Sequence, residues 1–300
     1  MHGVNMSIEK SGIVAIIGRP NVGKSTLINA FVGQKVSIVS DKPQTTRNRI
    51  MAVHNREDTQ VVFLDTPGLH KPRNLFGQHM VDVAYGSLRG VDAVLVLVEP
   101  QDHVGKGDQM MFENLQKYTC PVILAINKID TIKPEALFSV IERFKALHNF
   151  REIVPISALQ RDGVDILLDI VLKLMPKSHP LFPEDMLTDQ PDSFFVAEII
   201  REKILHFLQE EVPHGVFVEV QKFGQREDGV IELIADICCE KDNHKAIIIG
   251  KGGAMIKKIG QAARLDIEHF FGDKVYLETF VKVRENWQNK ASLFKNLERQ

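Results

Sequence analysis

The chain has one tryptophan, three tyrosines and three cysteines in 300 residues. Cys238 and Cys239 are adjacent and Cys120 lies far from both. Neither a disulfide framework nor a spaced metal site follows from that pattern, and a reducing cytoplasm fits it best. The net charge of −2 gives the whole chain no pull toward nucleic acid, so any such partner must be read from a local patch. Long apolar runs are missing too: AVLVLV and PVILAI stop far short of the roughly 20 residues a membrane span needs. The N-terminal MHGVNMSIEKSG has no apolar centre for a signal peptide and reads as a loose tail over 1–11, with Met6 as an alternative start. His70, His79 and His103 show no ligand spacing, which excludes a transition-metal centre built on them.

What is present alternates. From residue 12 to 176, the strand-length apolar runs GIVAIIG, RIMAVHN, QVVFLD, DAVLVLVE, CPVILAIN and EIVPIS are separated by helix-like stretches. Most of these runs are continuously hydrophobic, as in strands covered on both faces, so an α/β domain with a mostly parallel sheet is expected. RIMAVHN, joined closely to QVVFLD, reads as an antiparallel edge hairpin. The segment 177–193 carries prolines and few apolar residues, the composition of a linker. From 194 to 300 the order becomes α-β-β-α-α-β, a second and smaller α+β domain.

GRPNVGKST fits G-x-x-x-x-G-K-[ST], directly after a strand and opening a helix. Gly18, Arg19, Pro20, Asn21, Val22, Gly23, Lys24, Ser25 and Thr26 therefore form a candidate phosphate cradle. Backbone N–H groups and the helix N-terminus both present positive partial charge to phosphate. Lys24 would bridge the β- and γ-phosphates, and the Ser25 hydroxyl would hold magnesium. DTPG at 65–68 follows about 40 residues later on its own strand. Asp65 would complete the metal site through water and the Gly68 N–H would meet the γ-phosphate, with Thr66 and Pro67 between them. NKID ends another strand. The Asp130 carboxylate can accept from the ring N–H and exocyclic amine of guanine, a pattern adenine lacks. Asn127 is expected at the base edge and the Lys128 stem on the ring face. In SAL, comprising Ser157, Ala158 and Leu159, the Ala158 N–H can reach the guanine oxygen. The boxes together point to GTP rather than ATP.

DKPQTTRNR at 41–49 is a polar loop between helix and strand. A threonine here completes a magnesium shell only when a γ-phosphate is bound, which makes the loop a switch. Thr45 and Thr46 both qualify. Where the Ras-like pattern places a water-orienting glutamine, the residue after Gly68 is Leu69, which can neither hold nor activate water. Catalysis is therefore assigned to transition-state stabilisation by Lys24, Thr46 and Gly68, with no side chain as general base and a slow intrinsic turnover.

GRPNVGKS, PQTTR, DTPGLHKP, NKID and SAL, in this order and spacing, closely resemble the Era family of GTPases. The resemblance favours Thr46 as the metal ligand. It also implies that an apolar residue in place of the glutamine is normal, and that Asn21 is a candidate ligand for a potassium ion near the phosphates.

In the second domain GKGG at 250–253 separates two helical stretches. Gly250, Lys251, Gly252 and Gly253 match the GXXG loop of KH domains, which clamps the backbone of about four nucleotides. Lys257 and Lys258 follow on the next helix and are further candidate RNA contacts. Basic and acidic side chains are nearly balanced here, so binding should depend on a shaped groove more than on bulk charge. The α-β-β-α-α-β order resembles the type II KH fold, which the Era family carries after its GTPase domain. That resemblance spans nearly the whole chain. It implies binding near the 3′ end of small-subunit 16S ribosomal RNA, assistance to 30S subunit assembly, and peripheral contact at the inner face of the cell membrane; the sequence does not fix the oligomeric state, and a monomer is the expectation. Two other readings remain open: a membrane- or division-linked GTPase in which GKGG is only a turn, and a passive RNA-binding chaperone with a structural nucleotide. Trp287 and the tail after it are expected to form a closing helix.

Overall fold

Six strands, the central ones buried along nearly their whole length, form the first sheet, because helices cover both of its faces. In the computed structural model, which describes residues 8–42, 44–101 and 103–291, these strands are β1 (Lys10–Gly18), β2 (Ile50–Arg56), β3 (Thr59–Asp65), β4 (Ala93–Val98), β5 (Val122–Ile126) and β6 (Glu152–Pro155). The spatial order is β2-β3-β1-β4-β5-β6. Only β2 runs antiparallel to its neighbour, with Ile50 opposite Asp65, so the edge hairpin is present.

The helices are α1 (Lys24–Val32), α2 (Leu75–Gly86), α3 (Lys106–Leu115), α4 (Pro134–Lys145) and α5 (Val164–Leu174). Alternate residues of β1 serve the two faces. Val14 and Ile16 pack with Leu27, Ile28 and Phe31 of α1 and Leu167 and Val171 of α5. Ala15 and Ile17 pack with Ala84 of α2, Phe112 of α3 and Phe144 of α4. This arrangement brings the C-terminal ends of β1, β3 and β5 to one edge of the sheet, where ligands bind in open α/β folds.

The chain forms two compact units that divide between Asp189 and Gln190, and the short stretch Arg73–Gly77 clusters with the second. Two boundaries differ from expectation. Strand β1 starts at Lys10 rather than 12, with Glu9 N–H donating to the Asp58 carbonyl at 2.8 Å. The proline-rich segment expected as a linker is instead fixed to the first unit. Gln60 on β3, wholly buried, accepts from the N–H groups of Leu181 (2.7 Å) and Phe182 (2.9 Å) and donates to the Phe182 carbonyl (2.9 Å). Val53 N–H on the edge strand donates to the Leu187 carbonyl at 2.8 Å, and Phe182 and Met186 pack on Met51, Val53, Val62 and Leu64. The segment thus covers a sheet edge that would otherwise offer open hydrogen bonds.

The second unit contains α6 (Asp192–Phe207), β7 (Phe217–Gln225), β8 (Ile231–Cys239), α7 (Asp242–Ile249), α8 (Ala254–Phe271) and β9 (Val275–Val283). Its sheet order is β7-β8-β9, with β7 antiparallel and β9 parallel to β8. One core joins Val196, Ile200 and Ile204 of α6 to Leu233 and Ile237 of β8 and to Ile259, Ala263 and Ile267 of α8. Trp287, fully buried, lies in a single 3-10 turn, Trp287–Asn289, and donates from Nε1 to the Gly215 carbonyl at 3.0 Å. The tail expected to continue as a helix lies, from 292 onward, outside the described residues.

Candidate nucleotide and RNA sites

The loop between β1 and α1 is shaped by residues in the left-handed region, Asn21 at φ 66° and Gly23 at φ 97°. A side chain at Gly23 would place its Cβ 2.2 Å from Asn127 Nδ2, so only glycine fits there. Lys24 is buried and donates to the carbonyls of Arg19 (3.0 Å) and Gly18 (3.4 Å). Burial pushes its pKa down to about 8, and Asp65 partly opposes that shift. Val22 packs in the core and Thr26 is half-buried on α1. Arg19 reaches sideways to Asp108 near the start of α3, 3.6 Å away. Burial raises the Asp108 pKa and the Arg19 charge opposes it.

Three hydroxyls converge on Asp65 at the end of β3. Ser25 Oγ and Ser37 Oγ each donate to Asp65 Oδ2 at 2.9 Å, and Thr46 Oγ1 lies 2.9 Å from Ser25 Oγ and 3.5 Å from Asp65 Oδ2. Asp65 Oδ1 is buried with no hydrogen-bond partner among the described residues. Burial raises the Asp65 pKa against the influence of Lys24 and the three hydroxyls. An orphaned carboxylate oxygen beside two hydroxyl oxygens is a hard-oxygen donor set, and it fits magnesium. Thr46, not Thr45, makes these contacts. Ser37 carried no sequence signal. It is delivered by Asn29 of α1, whose Oδ1 accepts from the Val36 and Ser37 N–H groups at 2.9 and 3.0 Å.

Gly68 packs so closely on the P-loop that an added Cβ would lie 2.7 Å from the Pro20 backbone. Pro67 is buried, and Thr66 donates to the Ile16 carbonyl at 2.7 Å, a contact within the fold. Leu69 is 7% exposed and packs into the core with Ile17, Ala84 and Leu88.

At the base end, Asn127 has contacts within the fold that the sequence did not suggest. Its Nδ2 donates to the Val22 carbonyl at 2.7 Å and its Oδ1 accepts from the Ala158 N–H at 2.9 Å. It ties three loops together, and its second amide N–H is left over for a base edge. Lys128, in the left-handed region at φ 65°, ion-pairs with Glu99, a partner that sequence did not suggest. Asp130 and Leu159 are exposed, while Ser157 and Ala158 are buried; Ser157 Oγ accepts from the Gln160 N–H at 3.2 Å.

In the second unit the glycine loop joins α7 to α8. Gly250, Gly252 and Gly253 all have positive φ, at 73°, 60° and 79°. A Cβ on Gly250 would strike Met255 at 2.7 Å, whereas Gly252 and Gly253 face open space. Lys251, Lys257 and Lys258 are exposed, and the Lys258 ammonium sits 4.3 Å over the Phe207 ring. Within this unit Phe76 of α2 lies 4.9 Å from Trp287, ring centre to ring centre.

Fold and site together define a P-loop nucleotide-binding domain followed by a KH domain. Residues 13–128 match the family described as 50S ribosome-binding GTPase, and residues 211–288 match the KH domain. The chain is 49% identical to the GTPase Era of Alkaliphilus metalliredigens over 96% of its own length and 98% of that protein's. It is 48% identical to the GTPase Era of Clostridium botulinum, again over 96% and 98%. Aquifex aeolicus Era bound to GDP and AlF4 superimposes with a TM-score of 0.92 at 39% identity, covering 95% of this chain and 98% of that one. Era in complex with MgGDPNP and nucleotides 1506–1542 of 16S ribosomal RNA gives 0.91 at 39%, covering 95% and 97%. The chain belongs to the Era family of GTPases.

Proposed function

We propose that the chain is a GTP-hydrolysing switch that binds small-subunit ribosomal RNA near its 3′ end and assists assembly of the 30S subunit. The observation that carries the enzymatic part is the cluster of Ser25, Thr46 and the orphaned Asp65 oxygen beside a buried lysine. Magnesium held there neutralises charge on the β- and γ-phosphate oxygens. Lys24 contributes charge on the same phosphates, and the N–H groups of the P-loop and Gly68 hold their oxygens in place. Asp130 selects guanine, because an adenine edge would leave its oxygens unpaired. Asn21, at the bend of the P-loop, is a candidate potassium ligand; comparing turnover in potassium and sodium tests that role.

The GXXG loop in the second unit supports the RNA-binding part, together with relatives of the same full length. Gly252 and Gly253 leave room for a phosphodiester backbone at the loop, and Lys251 and Lys257 supply charge. Coupling of RNA access to nucleotide state through the switch segments 41–49 and 68–80 belongs to the same reading, because Thr46 in the first of them can complete a magnesium shell only with a γ-phosphate bound. The chain is placed in the cytoplasm as a monomer; fractionation tests peripheral attachment at the inner membrane face. Among the described residues no helix is long and apolar enough to cross a membrane.

Crosslinking to total cellular RNA with a GTP analogue and with GDP tests the whole reading. Small-subunit 3′-end RNA should be recovered, with unequal yields in the two states; equal yields would refute the coupling. Multiple-turnover phosphate release separates an enzyme from a chaperone with a structural nucleotide. Asp130→Asn should move preference from guanosine toward xanthosine nucleotides, and retained GTP selectivity would refute the base assignment. Loss of RNA retention in Lys251→Asp with Gly252→Asp separates a KH contact from a mere turn.

A further inference from the structure

Leu69 points into the core, so the residue that replaces glutamine is removed from the reaction altogether. The next side chain is not. His70 Nδ1 lies 2.8 Å from the Gly68 carbonyl. A carbonyl only accepts, so Nδ1 donates, and the Nδ1–H tautomer presents Nε2 as an acceptor. This bond from residue 70 back to residue 68 folds the imidazole over the glycine that packs on Pro20 of the P-loop. On its other side Nε2 meets the Gln44 amide at 3.5 Å. Gln44 lies two residues before Thr46 and is held in the left-handed region at φ 63°, an uncommon conformation for a side-chain-bearing residue and one concentrated at functional sites.

We propose that His70 is the water-positioning residue of this GTPase, with Gln44 as the residue that aims its ring. The long amide contact is weak enough to be exchanged for a water O–H, which Nε2 would then accept. Held there, the water oxygen forms a bond to the γ-phosphorus as the bond from phosphorus to the β–γ bridging oxygen breaks. The electron pair stays on the β-phosphate of GDP, and the water proton passes to a γ-phosphate oxygen. His70 gains no proton, in keeping with a loose transition state that needs positioning more than a strong base.

The inference rests on the hydrolytic reading above. A wild-type chain that binds GTP without cleaving it would refute that reading, whereas hydrolysis indifferent to residue 70 refutes only this inference. The test compares His70→Phe, which keeps the ring and loses the acceptor, with His70→Gln, which keeps an acceptor. Single-turnover hydrolysis and affinities for GDPNP and for GDP with aluminium fluoride are measured for each. His70→Phe should lose about 10- to 100-fold in rate and a similar factor in fluoroaluminate-complex affinity, with GDPNP affinity within about twofold of wild type. His70→Gln should recover most of both losses. Wild-type hydrolysis in His70→Phe, parallel loss of all three quantities, or no recovery in His70→Gln would each overturn the proposal.

Discussion

Asn127 donates its side-chain amide to the backbone carbonyl of Val22 at 2.7 Å, so the strand that carries the base-selecting motif holds the phosphate loop in place. The same side chain accepts from the Ala158 N–H and is almost wholly buried. Asn127→Ala removes both ties and leaves a buried carbonyl and N–H unpaired, a change worth about 1–3 kcal/mol. Affinity for GTP and GDP should fall together, by roughly tenfold or more, because the loss is of loop organisation rather than of a contact made only to one nucleotide. Calorimetric titration with both nucleotides checks this. Wild-type affinity for both nucleotides in the variant would show that these ties do not organise the phosphate loop.

Gln60 is a buried polar side chain that holds the segment at 178–187, alongside Ser11, whose Oγ donates to the His179 carbonyl at 2.5 Å. Gln60→Leu keeps the volume but deprives Leu181 and Phe182 of their acceptor, costing about 1–3 kcal/mol. The segment should then open before the rest of the first domain unfolds, since its other side chains are mostly exposed. Limited proteolysis should cut the variant within 177–189 faster than wild type. Unchanged cleavage would mean that the remaining ties, Ser11 to His179, Val53 to Leu187 and the packing of Phe182 and Met186, hold the segment without Gln60.

His54 on β2 adds a pH dependence. Its Nε2 is buried without a hydrogen-bond partner among the described residues, and burial first, then the Arg56 charge, lowers its pKa below 6.5. The unfolded chain therefore takes up a proton near pH 6.5 while the folded chain resists it, so stability is lost as the pH falls below 6.5. His54→Phe should abolish that part of the loss. The measurement is the midpoint of thermal unfolding from pH 7.5 to 5.5 in both proteins; parallel curves would remove His54 as a contributor.

The sequence made the GTPase half legible because its chemistry lies in short motifs whose flanking strands are continuously apolar. The P-loop, DTPG and NKID each follow such a strand, and the element order of the second domain followed from periodicity, its KH fold from the resemblance of that order and of GKGG. What was hidden depends on single residues with no pattern. Ser37 reaches Asp65 only because Asn29 clasps the loop that carries it, and neither spacing nor propensity marks that pair. The segment read as a linker has a linker's prolines, yet Gln60 inside the apolar run QVVFLD and Ser11 in the strand beside it help to order it. The signal available was the pair Phe182 and Met186 among polar neighbours, too sparse to outweigh composition. The ties of Asn127 to Val22 and Ala158 were hidden too, because motif analogy gives a residue type and not every partner its side chain finds.

The glycine loop allows folding and RNA binding to be separated within four residues. At Gly250 a Cβ would meet Met255 at 2.7 Å and its backbone nitrogen at 2.9 Å, so the collision lies inside the domain and adds to the strain of φ 73°. At Gly252 nothing lies within 4 Å, and φ 60° is a conformation that aspartate tolerates better than most residues do. Gly250→Asp should therefore unfold or strongly destabilise the KH domain. Gly252→Asp should cost only about 1 kcal/mol while placing a carboxylate where a phosphate must approach. Thermal unfolding should thus rank Gly250→Asp well below Gly252→Asp, whereas both should lose small-subunit RNA in a filter-retention assay. If Gly252→Asp folds and retains RNA at wild-type affinity, the phosphate backbone passes elsewhere and the loop is only a turn.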